Sequence, residues 1–178
     1  TIRYDKRTLK YPKQMSGLDS FTIYDETIND AVSAIRKSKE YSFLDSSRIY
    51  VLGHSLGAYA SPLIAQEANE IKGIVMLAGP YRPLHEIIPE QYAYIFGLDG
   101  DLSKREKKIL SSVREEVKFI NEETSTVSRL KVLGNNKMLP YFRQMNSYNP
   151  TVTLKNLSCR VLIAQGDRDY NVRHETEY

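Results

Sequence analysis

A serine lies between two glycines in the pentapeptide GHSLG, residues 53–57. A serine hydroxyl attacks an acyl carbon only when a base accepts its proton, and the resulting oxyanion needs N–H donors already in position. A sharp turn from a strand into a helix would raise the Ser55 hydroxyl above a sheet and aim the Leu56 N–H at that oxyanion. The pattern therefore predicts Ser55 as a nucleophile and Leu56 as half of an oxyanion hole. The alternative is a structural turn that retains its glycines.

The segments on either side of the serine fit such a turn. Residues 48–52, RIYVL, form an apolar β-rich run that predicts a strand covered by helices on both faces. The small residues after the serine predict a helix packed closely on a sheet, with a kink at Pro62. Residues 73–78, GIVMLA, predict a second strand, so the unit is βαβ with parallel pairing. In the turn itself, we expect the positions of Gly53 and Gly57 to leave no room for side chains.

The remaining segments extend this arrangement in both directions. Apolar residues at helical spacing predict a helix over residues 22–39. Residues 1–7, TIRYDKR, are interpreted as the end of a strand. Residues 160–164, RVLIA, predict a third strand, and the polar turn QGDRDYN follows it directly.

The segment between the second and third strands differs in kind. It contains one amphipathic helix, marked by Ile109, Val113, Val117 and Ile120, and an aromatic and Met-rich stretch bounded by prolines. We interpret it as an inserted helical cap. The predicted fold is α/β, a parallel sheet flanked by helices, with residues 1–80 as the first part of the core, residues 81–150 as the cap and residues 151–178 as the second part of the core.

Length and composition exclude several classes of protein. The 178 residues suffice for one domain, and the net charge of +3 is spread along the chain, which argues against a nucleic-acid surface. The single cysteine, Cys159, supports neither a disulfide framework nor a metal cluster. No apolar run approaches the roughly 18 residues of a membrane helix. The compartment is left open between the cytoplasm and secretion.

Four motifs occur in a characteristic order: RYDKR at residues 3–7, GHSLG at 53–57, LAGP at 77–80 and QGDRDY at 165–170. In order and spacing the chain resembles the α/β hydrolases, and among them bacterial serine esterases of the dienelactone hydrolase or serine aminopeptidase type. The resemblance implies a Ser-Asp-His triad whose acid follows the third strand. Asp169 matches that position, and its neighbour Asp167 ranks second.

The histidine that this resemblance requires is not evident in the chain. We expect the His54 side chain to point away from the nucleophile, His85 to be a surface residue at the start of the cap, and His174 to lie too close to the acid in sequence. The family's histidine follows the acid by some tens of residues, and its second oxyanion donor precedes the first strand. The chain is therefore interpreted as a fragment that lacks both ends of the fold, and an exposed apolar strand edge favours a homodimer.

The cap suggests a substrate class. Tyr141, Phe142 and Met145 are side chains suited to an acyl pocket above the nucleophile, although a role as cap core is an equal alternative. We predict hydrolysis of a small to medium carboxylic ester through an acyl-enzyme, without a cofactor or metal. A thioesterase or peptidase would use the same machinery. A non-catalytic binding module with a hydrolase-like fold is the rival interpretation.

Overall fold

The computed structural model describes residues 1–122 and 125–177, and its centre is a three-stranded parallel sheet with strand order β1-β2-β3. The strands are β1 (Tyr50–His54), β2 (Gly73–Leu77) and β3 (Arg160–Ala164). The α-helices are α1 (Arg7–Lys10), α2 (Pro12–Ser16), α3 (Asn29–Ser38), α4 (Leu56–Glu67), α5 (Leu84–Phe96), α6 (Lys104–Ile120), α7 (Leu139–Asn146), α8 (Pro150–Lys155) and α9 (His174–Glu177). A π-helical turn covers Tyr24–Ile28, and 3₁₀ turns cover Ser46–Arg48 and Asn136–Met138. The fold class is therefore α/β.

Pairing within the sheet brings the carboxyl ends of all three strands to one edge. The strands are parallel and begin in register with one another. Just beyond the strand ends, the Ser55 N–H donates to the Leu77 carbonyl and the Ala78 N–H donates to the Ala164 carbonyl, each at 2.9 Å. The predicted βαβ unit and third strand are confirmed, and the segments that follow the strands lie side by side.

Helix α4 packs on β1 and β2 and supplies much of the core. It continues through Pro62, and its buried residues are mainly small, which lets the helix lie close to the sheet. The hydroxyl of the fully buried Tyr59 donates to the Met145 carbonyl at 3.2 Å, and the Tyr148 hydroxyl donates to the Tyr59 carbonyl at 3.2 Å. Helices α4 and α7 therefore belong to one hydrophobic core.

Helices α5, α6 and α7 pack against one another. Helix α6 begins with a capping box: the Glu106 N–H donates to Ser103 Oγ at 3.3 Å, and the Ser103 N–H donates to the Glu106 carboxylate at 2.8 Å. Val113 and Ile120 are fully buried, so the predicted amphipathic helix is confirmed. No helix among the described residues is both long and apolar enough to cross a membrane. The cap and the three-part domain division stay predictions.

The prediction that residues 1–7 end a strand is wrong. No strand occurs there, and Arg7 instead begins α1. Arg7 Nε donates to Asp30 Oδ1 at 2.9 Å, which ties the segment to α3. This hydrogen bond with the guanidinium holds the pKa of the Asp30 carboxyl below its usual value. An ion pair, rather than a strand partner, therefore positions the start of the chain.

The extent and the burial of β1 also differ from the prediction. The strand begins at Tyr50, two residues late, because the Asp45 carboxylate accepts from the Ser47 N–H at 3.0 Å and so caps the preceding 3₁₀ turn. The expectation of helices on both faces is wrong for the described residues. Leu52 of β1 and Leu162 of β3 both pair with Val75 of β2. Their side chains lie on the sheet face opposite α4, where they are 66% and 58% exposed.

Candidate functional site

Ser55 has a backbone conformation that side-chain-bearing residues rarely adopt, with φ 53° and ψ −118°. Its N–H donates to the Leu77 carbonyl at 2.9 Å, and its own carbonyl accepts from the N–H groups of Ala58 (2.9 Å) and Tyr59 (3.0 Å). The strand on one side and the helix on the other therefore hold the residue in place. Backbone strain of this kind is characteristic of functional sites, where the surrounding structure enforces it. The predicted strand-to-helix turn is confirmed in position and shape.

The two glycines of the pentapeptide have different roles. A Cβ atom on Gly53 would collide with the carbonyl group of Gly57 and with Ser61 Oγ, so only glycine lets α4 cross the end of β1 this closely. A Cβ atom on Gly57 would meet nothing within 4 Å. The expectation that neither position leaves room for a side chain is correct at Gly53 and wrong at Gly57.

The start of α4 provides N–H groups beside the serine. Leu56 is the first helical residue, and the first N–H groups of a helix have no acceptor within it. Together with the helix dipole, they favour negative charge at this end. Ser55 Oγ takes part in none of the hydrogen bonds found among the described residues, so no partner there restrains it. The predicted oxyanion role of Leu56 fits this placement and stays a prediction.

Asp169 lies in the loop that follows β3, at the same sheet edge as the serine. Its Oδ1 atom accepts from the N–H groups of Asn171 (2.9 Å) and Val172 (3.2 Å), and the Val172 side chain is buried. No hydrogen bond within the described part of the chain uses Oδ2. Because β2 lies between them, the ends of β1 and β3 are about 10 Å apart. Asp167 is exposed in the same loop.

The three histidines occupy different environments. His85 is fully buried, so its predicted surface location is wrong: Nε2 hydrogen-bonds Asn121 Oδ1 at 2.9 Å, and the ring packs edge-on against Phe142 at 5.4 Å. Burial is the main cause that lowers the pKa of His85. His54 is exposed at the end of β1, and His174 is exposed in α9 beside Glu175. Among the described hydrogen bonds, none joins a histidine to Ser55 or Asp169.

Similarity to a known protein extends over nearly the whole chain. No family model matches the sequence, but it is 32% identical over 180 aligned residues to Esterase EstD of Thermotoga maritima. The chain is a homologue of a protein named as an esterase. The match covers 99% of this chain and 39% of the relative, so the chain spans about two fifths of that protein's length.

A buried ion pair anchors α9, which follows the Asp169 loop, and the sequence pattern did not predict it. Glu177 of α9 is 4% exposed and accepts from the N–H groups of Tyr81 (2.9 Å) and Arg82 (3.2 Å), and from Arg82 Nε (2.6 Å). The Arg82 guanidinium also makes two hydrogen bonds to Glu90, at 2.8 and 3.0 Å, and lowers the pKa of that carboxyl. Helix α9 is therefore tied to the segment that follows β2.

The side chains predicted to contact substrate are largely enclosed. Tyr141, Phe142 and Met145 are 3%, 4% and 1% exposed, and the Tyr141 hydroxyl donates to Glu26 Oε2 at 2.6 Å. This burial is what the cap-core alternative expects, although Phe142 also contributes to an open groove beside α5. Their contact with substrate stays a prediction. Within the described residues, no cluster of His, Cys, Asp and Glu could hold a metal ion.

Proposed function

We propose that the protein is a serine hydrolase that cleaves carboxylic esters through an acyl-enzyme on Ser55. The observation that carries the proposal is the strained Ser55 backbone at the junction of β1 and α4. The position of Asp169 at the same sheet edge supports it, as does the name of the homologous esterase. The chain spans only part of that relative, so ester hydrolysis by this protein is our proposal.

The residues have distinct parts in the proposed reaction. Ser55 Oγ attacks the ester carbonyl carbon while a histidine accepts its proton, and the carbonyl oxygen becomes an oxyanion near the Leu56 N–H. The tetrahedral species collapses as the imidazolium protonates the departing alcohol. Water then attacks the acyl group on Ser55 by the same route and releases the acid. Asp169 orients the imidazole and stabilises its protonated form.

The base in this proposal is a histidine outside residues 1–178. No hydrogen bond among the described residues places His54, His85 or His174 between Ser55 and Asp169. Asp169 Oδ1 is occupied by its own loop, and Oδ2 is the acceptor proposed for the imidazole N–H. A Gly-rich phosphate loop and a metal are not needed for these steps. Thioester or peptide cleavage would proceed through the same groups.

The proposal is tested by the mass of the full-length protein after exposure to a fluorophosphonate, which reacts with activated serines. We expect one adduct that disappears in Ser55→Ala and persists in Ser111→Ala, an exposed serine of α6. Ester turnover should fall by about four to six orders of magnitude in Ser55→Ala. A folded protein that forms no adduct would contradict the proposal and favour the non-catalytic binding module.

The acid is tested by a matched pair, Asp169→Asn and Asp167→Asn. We expect Asp169→Asn to lower turnover by roughly 10⁴-fold, as loss of a triad aspartate does in serine proteases, because the base would take the wrong tautomer. Asp167→Asn should retain turnover, since its side chain is exposed and the described loop makes no hydrogen bond to it. The reverse result would assign the acid to Asp167.

A further inference from the structure

Two glutamine side chains hold carbonyl groups of the loop that carries the candidate acid. We define the acid loop as residues 165–173, which connect β3 to α9. Gln91 Nε2 of α5 donates to the Asn171 carbonyl at 2.8 Å, and Gln165 Nε2 donates to the Val172 carbonyl at 2.5 Å. A carbonyl oxygen can only accept a hydrogen bond, so each glutamine must present its NH₂ group to the loop. The direction of both hydrogen bonds is therefore fixed by their acceptors.

The two residues that accept from the glutamines also donate to the candidate acid. Asp169 Oδ1 accepts from the N–H groups of Asn171 (2.9 Å) and Val172 (3.2 Å). The Asn171 carbonyl and the Val172 N–H belong to one peptide group. A chain of hydrogen bonds therefore runs from Gln91 Nε2 through this peptide group to Asp169 Oδ1. Hydrogen bonds in such a chain polarise one another, so donation to the carbonyl makes the N–H a stronger donor. Gln91 thus fixes the peptide group and strengthens one of the two hydrogen bonds that hold the carboxylate.

Helix α5 contacts the acid loop at a second point. Tyr94 stacks on Tyr170, with ring centroids 4.9 Å apart and an angle of 7° between the ring planes. Tyr94 follows Gln91 by three residues, so the two side chains lie on one face of α5. The helix itself is held at Glu90, which accepts two hydrogen bonds from the Arg82 guanidinium. The two residues that directly follow the candidate acid therefore rest on a helix that an ion pair fixes in place.

We propose that Gln91 is a positioning residue for Asp169. It holds the peptide group between Asn171 and Val172 in the orientation that anchors Oδ1 to the loop and leaves Oδ2 to the catalytic base. Anchoring matters because the acid can hold the imidazole in the correct tautomer only from a defined direction. The inference rests on the proposed function and deepens it, because it names α5 as the element that orients the acid. Gln91 acts only through the acid loop.

The first test measures hydrogen–deuterium exchange of the acid-loop amides in the full-length protein, and it does not depend on catalysis. Gln91→Met keeps the length and helix propensity of the side chain but removes the donor. We expect the N–H groups of Asn171 and Val172 to exchange about 3–10-fold faster, which is the effect of losing one neutral hydrogen bond. The control is Gln66→Met, at an exposed position of α4, which should leave both rates unchanged. Exchange in Gln91→Met that equals exchange in the unsubstituted protein would overturn the proposal.

The second test measures kcat and KM for p-nitrophenyl butyrate, with kcat divided by the number of Ser55 residues that a fluorophosphonate labels at completion. In Gln91→Met this normalised kcat should fall about 3–10-fold. KM should not change, because acylation and deacylation use the same base and slow together. A loss of folded molecules would leave the normalised kcat as it was, so a merely structural role of Gln91 predicts no effect. An unchanged normalised kcat would refute the positioning role.

A double-substitution cycle decides whether Gln91 acts through the acid. In Asp169→Ala there is no carboxylate to position, so adding Gln91→Met should not change the rate at which the fluorophosphonate labels Ser55. With Asp169 present, Gln91→Met should slow the labelling about 3–10-fold. An equal fall in both backgrounds would overturn the proposal, because an effect that does not need Asp169 is not positioning of that residue.

The positioning role and the proposed function fail in different ways. If Ser55 is labelled and Asp169→Ala slows the labelling, but Gln91→Met matches Gln66→Met in exchange and in kcat, the positioning role is overturned and the proposed function stands. Labelling of Ser55 that Asp169→Ala does not slow would also overturn the positioning role, because the acid would be another residue. If the folded protein forms no adduct at Ser55, the proposed function fails, and the exchange rates alone decide whether Gln91 holds the Asp169 loop.

Discussion

The strained backbone at Ser55 makes an unusual prediction: replacing the residue with glycine should stabilise the protein. A residue with a side chain held at φ 53° and ψ −118° stores about 1–3 kcal/mol of strain, which glycine avoids. Glycine also gives the unfolded chain more freedom, which reduces the gain by about 0.4–1 kcal/mol. Because alanine retains the strain and glycine does not, Ser55→Gly should be more stable than Ser55→Ala by about 1.3 kcal/mol at the middle of these two ranges.

The comparison of glycine with alanine at one position removes the contribution of the hydroxyl, which both variants lack. The free energy of unfolding would be measured by urea denaturation, with circular dichroism as the signal and a shared slope. The control is the same pair at Ser33, an exposed position inside α3. There the order should reverse, with Ser33→Gly less stable than Ser33→Ala by about 1 kcal/mol, because glycine is the poorer helix former.

The sign of the difference at residue 55 decides whether the turn is strained. If Ser55→Gly is equal to or less stable than Ser55→Ala while the Ser33 pair behaves as expected, then the turn stores no backbone strain, and the structural argument for an enforced nucleophile position is wrong. If Ser55→Gly is instead more stable than Ser55→Ala and has lost all ester turnover, the result supports both the strain and the catalytic role of Ser55. It would mean that the protein tolerates a strained residue for the sake of its reaction.

Two further predictions concern burial near the site. Gly53→Ala should lower the free energy of unfolding by about 1–3 kcal/mol, because the added Cβ atom collides with α4. Gly57→Ala should leave the free energy of unfolding unchanged or raise it by up to about 1 kcal/mol. Equal effects of the two substitutions in denaturation curves would contradict the difference in space between the two positions. Burial lowers the pKa of His85 from its usual value of 6.5, so the unfolded chain binds this proton at higher pH than the folded one does, and stability should fall as pH drops below about 6.5. The hydrogen bond with Asn121, the charge of Glu86 and the interaction with Asn146 each oppose this lowering of the His85 pKa, and burial outweighs them. His85→Phe should remove this contribution between pH 5 and 7, and an unchanged pH dependence in urea denaturation would show that His85 does not cause it.

Local pattern predicted the elements that local contacts define. The strand at residues 73–78, the strand at 160–164 and the helix between β1 and β2 all occur near their expected bounds. The first strand begins two residues later than predicted, because an Asp45 side chain caps a turn that apolar character alone does not reveal. At residues 1–7 the expectation of a strand rested on a short stretch of seven residues without a periodic apolar pattern, and the segment is no strand in the structure.

Glu116 carries a sequence signal that points to its burial. It lies at helical spacing between Val113 and Ile120, on the apolar face of an otherwise charged helix. A carboxylate in that position must find hydrogen-bond donors or remain costly to bury. Those donors are the backbone N–H groups of residues 131–133, and side-chain spacing within the helix carries no information about the path of that segment.

By itself the sequence determined the place of Ser55 between a strand and a helix, because the glycines, the β-rich run before it and the small residues after it act over a few neighbouring positions. The tertiary structure decided that His85 is buried against Asn121 and Phe142, and that Asp169 shares an edge with Ser55. These facts depend on packing between segments that are tens of residues apart. The free energy of such contacts depends on how helices and strands meet, which the spacing of residues within one element does not specify.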